Sequence, residues 1–93
     1  MLEKEVEKYL VREVKKLGGF CYKFVSPGNA GVPDRIVVLP DRSVKFVELK
    51  TNKGRLTKLQ EIQIKRLRGL GQAVYVLHGK EEVKEFIDGI QST

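Results

Sequence analysis

The chain has 93 residues, 41% of them hydrophobic and 32% charged, with one cysteine and a formal net charge of +6. At this length roughly 60 to 70% of the unfolded surface can be buried, which suffices for one compact core and not for two, so residues 1–93 are expected to form a single domain without linkers. The composition excludes a disordered or fibrous chain, and the lone Cys21 excludes an internal disulfide or a cysteine-based zinc site.

No apolar run reaches the roughly 18 to 20 residues of a membrane span. The opening Met1-Leu2-Glu3-Lys4-Glu5 lacks a signal-peptide stretch, so a cytoplasmic protein with no membrane partner is expected. In chain order, Leu2, Val6, Tyr9, Leu10, Val14 and Leu17 recur at three and four residues, the stripe of an amphipathic helix that Gly18-Gly19 ends. Phe20 to Val25 is rich in aromatics and reads as a strand. Ser26 to Pro33 holds too much Pro and Gly for a regular element and is read as a loop able to close over a substrate or simply to connect.

Asp34 to Leu39 and Ser43 to Lys50 are two strand-like runs separated by Pro40-Asp41-Arg42, a turn short enough for an antiparallel hairpin. After a polar connection, Thr57 is a good N-cap for a helix to about Leu70, with Leu59, Ile62, Leu67 and Leu70 among its buried positions. The continuous apolar run Ala73 to Leu77 is expected inside the sheet with both faces covered. Gly79-Lys80-Glu81-Glu82 opens a last helix whose buried stripe is Val83, Phe86, Ile87 and Ile90. The order α-β-β-β-α-β-α implies an α/β fold, a mixed four-stranded sheet with helices packed on its faces.

Charge and hairpin hold the unusual chemistry. Of the basic residues, Lys45, Lys50, Lys53, Arg55, Lys58, Lys65, Arg66 and Arg68 crowd one stretch, the pattern of a chain that meets a polyanion or merely stays soluble. A three-residue turn pairs Leu39 with Ser43, Ile36 with Phe46, and Asp34 with Glu48 on the same side of the sheet, with Cβ atoms about 5 Å apart. Like charges directly opposite are destabilising, and here they end a row of apolar residues expected to be buried, so a divalent cation is one natural neutraliser, with Lys50 two residues beyond Glu48 on the same face. The alternative is that Asp34 turns the chain into its strand while Glu48 and Lys50 form a solvated ion pair. A slip of one residue would send Glu48 to the other face.

Gly31-Val32-Pro33-Asp34-Arg35, Phe46-Val47-Glu48-Leu49-Lys50 and Leu56-Thr57-Lys58-Leu59-Gln60, in this order and spacing, resemble the signature of the VRR-NUC domain, the virus-type replication-repair nuclease branch of the PD-(D/E)xK superfamily. The resemblance runs nearly end to end. It implies a three-layer α-β-α, restriction-endonuclease-like core. It also implies that Asp34 and Glu48, with the main-chain carbonyl of Leu49, hold Mg²⁺ or Mn²⁺, that Lys50 positions or activates the attacking water, and that Gln60 faces the same site.

The superfamily places a first-helix Glu in the site as well, which could be Glu3 or Glu7. Glu7 is favoured, because its surroundings resemble those of archaeal Holliday-junction resolvases. The implied activity is that of a metal-dependent, structure-selective DNA endonuclease of phage or bacterial origin, working in DNA repair as a homodimer on branched DNA such as Holliday junctions. Lys53, Arg55 and Lys58 would meet flanking phosphates, and Arg35 would do the same or pair with a helix acid. The rival is a non-catalytic basic DNA-binding module with the same fold. His78, lacking a second histidine, is read as a surface or helix-entry residue.

Overall fold

The computed structural model describes residues 3–91, so the expected start at Leu2 lies outside the described residues. The elements are α1 (Glu3–Lys16), β1 (Phe20–Lys23), β2 (Arg35–Val38), β3 (Val44–Lys50), α2 (Lys58–Gly69), β4 (Ala73–His78) and α3 (Gly79–Gln91). The sheet order is β1-β2-β3-β4, with the first two pairings antiparallel and β3 parallel to β4. The parallel pairing requires a crossover, and α2 supplies it.

Alternation along the strands sorts their side chains onto two faces. Val37, Val47, Leu49 and Leu77 point to one, where Val6, Leu10 and Val14 of α1 and Val83, Phe86 and Ile87 of α3 seal the main core. The other face carries α2, which packs over β4 and buries Ile64. Arg68 of α2 donates to the Val74 carbonyl at 2.8 Å and ties the helix to that strand. The result is the three-layer α-β-α arrangement with a mixed four-stranded sheet.

Three sequence expectations need correction. The run Ala73 to Leu77 is not interior: β4 is a sheet edge, and its apolar continuity comes from having α2 on one face and α3 on the other. On α2, Leu59, Ile62 and Leu70 are exposed at 54%, 42% and 77%, and the buried residue is Ile64, because the helix contacts the sheet only at its β4 side. The row ending in Asp34 and Glu48 is also not the sealed one. Ile36, Val38 and Phe46 are half-buried, while the full burial lies on the opposite face at Val37 and Val47.

The hairpin register is the expected one. Ile36 pairs with Phe46 and Arg35 with Val47, so the ladder continued by one step sets Asp34 opposite Glu48. The three-residue turn is closed by the Leu39 N–H donating to Ser43 O at 3.0 Å, with Arg42 in the left-handed region at φ 75° as such turns demand. Strand β1 is shorter than Phe20 to Val25, yet Phe24 N–H still donates to Asp34 O at 2.7 Å and holds the chain on which the acid sits.

Candidate active site

Asp34, Glu48, Lys50 and Gln60 converge at the open end of the hairpin, where β2 begins and β3 ends. Glu48 is the one buried charged residue described, only 2% exposed. Its Oε2 accepts from the Gln60 amide at 3.0 Å and lies 3.5 Å from the Lys50 ammonium. Its Oε1 is buried with no hydrogen-bond partner. Asp34 is fixed beside it, because its Oδ2 accepts the Leu49 N–H at 3.0 Å and its carboxyl lies within hydrogen-bond reach of Glu48. Glu48 thus has one oxygen held by Gln60 and Lys50 and the other buried without a donor.

Burial, reinforced by the facing Asp34 charge and opposed by Lys50, pushes the Glu48 carboxyl up to about 7. Two anions in this geometry invite a cation. Mg²⁺ needs only one or two carboxylates, since waters and substrate phosphates complete its octahedron, and an orphaned carboxylate oxygen beside a second carboxylate fits that requirement. Among the described residues no cluster of three or more Asp, Glu, His or Cys donors exists, so Asp34 and Glu48 are the side-chain donors available.

The first turn of α2 locks Gln60 in place. Thr57 caps the helix and receives the Gln60 N–H at 3.2 Å, while Gln60 Oε1 accepts the Thr57 N–H at 2.9 Å, a capping box. With its oxygen occupied by the cap, the amide can only present its NH₂ to Glu48. Gly31 secures this turn from the other side. At φ 94°, it lies so close that a Cβ would fall 2.6 Å from the Leu59 carbonyl and 2.8 Å from Gln60 N. The glycine in front of Pro33-Asp34 therefore exists for close backbone approach, which its place in a Gly-Pro loop did not disclose. The adjoining loop is anchored at both ends of this stretch, since Pro33 is buried.

Glu7 and Arg35 form an ion pair with each other, and Arg35 also reaches the Cys21 carbonyl at 3.5 Å. The structure brings Glu7 to Arg35 and gives it no contact with Asp34, Glu48 or Lys50. Glu3 is exposed on the same helix. Of the two roles open to Arg35, pairing with a helix acid is the observed one, and at 14% side-chain exposure it presents little surface to a phosphate. Lys53 and Arg55 are exposed on the connection between β3 and α2, and Lys58 is exposed at the start of α2. His78 marks helix entry as expected: its N–H donates to the Glu82 carboxylate at 2.8 Å. Cys21 is partly buried, and burial pushes its thiol up to about 11.

The chain matches the VRR-NUC domain family over residues 4–81. A phage protein named "Putative nuclease p44", from Acyrthosiphon pisum secondary endosymbiont phage 1, is 48% identical over 79 residues, covering 85% of each chain. A solved VRR-NUC domain superposes with a TM-score of 0.87 at 31% identity, covering 92% of this chain and 94% of that one. A second solved VRR-NUC domain protein shares the fold with a TM-score of 0.76 at 22% identity, over 98% of this chain and 86% of the other. By sequence and by structure the chain belongs to the VRR-NUC domain family.

Proposed function

We propose that the chain is a metal-dependent nuclease, an endonuclease that hydrolyses phosphodiester bonds in branched DNA such as four-way junctions and acts as a homodimer. The observation that carries the reading is the buried, unpartnered Oε1 of Glu48 beside Asp34. A purely structural ion pair with Lys50 would leave neither that oxygen orphaned nor two carboxylates facing one another.

In this reading Asp34, Glu48 and the Leu49 carbonyl hold Mg²⁺, with Mn²⁺ able to substitute. The ion, when bound, polarises the phosphoryl oxygen and lowers the pKa of a coordinated water. The protein's own groups do the positioning. Gln60 and Lys50 hold Glu48 Oε2, which leaves Oε1 as the oxygen that would hold the ion, and the Leu49 N–H fixes Asp34 through Oδ2. Lys50 is the cation beside the reacting phosphate and orients the attacking water. The exposed Lys53, Arg55 and Lys58 meet neighbouring phosphates, where they supply affinity without reading bases.

Support for a homodimer comes from the uncovered part of the sheet. On the α2 side, Phe20, Val38 and Val44 form one cross-strand row and Tyr22, Ile36 and Phe46 the next. Phe20 and Tyr22 are each 57% exposed and stack at 5.9 Å. Such a surface is of the kind that a second copy covers. A two-fold dimer would bring two sites to one substrate, which a four-way junction with its two required nicks matches.

The test is cleavage of labelled four-way junction, flap, single-stranded and linear duplex DNA in EDTA, Mg²⁺ or Mn²⁺, with Glu48→Ala as control. Metal-dependent nicking of the junction, lost in the variant, is expected. Equal cutting of linear duplex would remove branch selectivity, and binding without cutting in either metal would remove the enzyme. Sedimentation of the free protein tests the dimer, with Tyr22→Glu expected to give monomers.

A further inference from the structure

We infer that the outward face of α1 is a second nucleic-acid track, binding the phosphate backbone on the side of the sheet opposite the carboxylates; the inference rests on the nucleic-acid reading above. At about 100° per residue, Lys4, Lys8, Arg12 and Lys15 fall within an arc of about 80° on the helix surface. Of the four acids on α1, only Glu5 borders that arc. Glu7 is turned inward to Arg35, and Glu13 is engaged by Arg12 and Lys16. Lys4, Lys8 and Lys15 have no carboxylate partner among the described residues. Lys4, Lys8 and Arg12 stand four apart, an arrangement of like charges that weakens an isolated helix. The helix therefore keeps a repulsive stripe, although its sequence contains enough acid to neutralise it.

The stripe is also aimed. Glu7 meets Arg35, the residue after Asp34, so the α1 N-terminus lies at the site end of β2. Gly19, just past the helix, lies against Val38 and Leu39 at the turn end. The basic row hence starts at the end of the sheet that carries the carboxylates, on the opposite face from them, and runs along β2 over about 16 Å, or the axial length of about five base pairs. A groove of about 530 Å³ follows it, lined by Lys4, Lys8, Arg12, Lys15, Val11 and the Glu7–Arg35 ion pair. Arg12 is steadied at one edge over the Tyr9 ring, 5.5 Å from its centroid, with the Lys80 ammonium 5.0 Å from the same ring. An open groove with aliphatic walls and unpaired ammonium groups suits a sugar-phosphate strand, whose charge it neutralises without regard to sequence.

The test is equilibrium binding of labelled junction DNA in EDTA between 50 and 200 mM salt, using Glu48→Gln as the parent and adding Lys4→Gln/Lys8→Gln/Lys15→Gln to it. Three lost phosphate contacts should make the log K against log salt slope shallower by about 2.7, so the salt-induced loss across that range shrinks about 40-fold. A parallel variant, Lys53→Gln/Lys58→Gln, reports the other flank. If the triple variant keeps the parent's slope while the double variant loses affinity, the α1 track is overturned and the nucleic-acid reading stands. If the parent itself shows no salt-dependent binding, both fail. Matching melting curves for parent and triple variant exclude misfolding as the cause of a changed slope.

Discussion

The two ends of the β2–β3 hairpin share the same pair of strands and do opposite things. At the turn end the strands are joined by three residues, the backbone closes its own hydrogen bond between Leu39 and Ser43, and Leu39 is buried in the core. Five rungs away, at the open end, the same ladder forces Asp34 and Glu48 together and leaves a buried oxygen without a donor. The first end follows the local rules of hairpin stability apart from one non-glycine residue, Arg42, at positive φ. The second breaks one of them and depends on its neighbours, since Val47 and Leu49 anchor β3 from the sealed face while Gln60 and Lys50 hold the acid from the open one. Residues that are locally unfavourable and globally supported are the mark of a functional site.

Breaking the open end should have the largest effect. Asp34→Ala or Glu48→Ala removes a proposed metal donor; since outer partners of metal ligands are worth about 10 to 100-fold, cleavage is expected to fall by more than roughly 100-fold. Single-turnover cleavage of a junction at saturating Mg²⁺ measures it, and a loss under tenfold would place the metal elsewhere. Next in size is Gly31→Ala, which combines an unfavourable φ with a Cβ 2.6 Å from the Leu59 carbonyl. It should cost about 1 to 3 kcal/mol of stability and displace Gln60. Gln60→Glu separates the two functions of that residue, because glutamate keeps the capping box but meets Glu48 with a second charge. Helix content should survive while cleavage falls about 10 to 100-fold; unchanged cleavage would show that the Gln60 contact to Glu48 is dispensable.

A stability measurement sharpens the same contrast. The Glu48 carboxyl keeps its proton to about pH 7 in the folded chain and releases it near 4.5 when unfolded. Between those values the folded state binds more protons, so metal-free stability should decline as pH rises from about 4.5 to 7 and stay low above. Glu48→Gln should abolish that decline and, at pH 8 in EDTA, melt higher by on the order of 1 to 3 kcal/mol, while being inactive. Thermal melts across pH in EDTA and in Mg²⁺ check this, and a flat wild-type profile would mean that Glu48 is ionised without a metal. Smallest is the turn end, where Arg42→Gly should change stability by about 1 kcal/mol or less and leave cleavage untouched, because the strain there is confined to one backbone dihedral. A large loss of cleavage would show that the two ends are coupled.

Much of this was legible in the residues. The hairpin register followed from a three-residue turn, and with it the meeting of Asp34 and Glu48; Thr57 announced α2, and the position of Gln60 in its first turn followed. The signal for Gly31 was present only as a Gly-Pro loop, because the backbone it touches, at Leu59 and Gln60, lies almost thirty residues away in the chain. Misreadings clustered on α2 and β4, where apolar residues serve an edge strand and an open helix face instead of a closed interior. Periodicity reports which residues are apolar, and cannot report whether a partner surface is there to receive them.

Local order, strand alternation and the family signature were thus determined by the sequence itself, since turn length, capping chemistry and side-chain period act over a few residues. Which face is sealed was decided by tertiary structure, as were the pairing of Glu7 with Arg35, the burial of Glu48 and the division of its carboxylate into a held oxygen and an unpartnered one. These depend on which helices settle on which side of the sheet, and that outcome belongs to the packing of the whole chain.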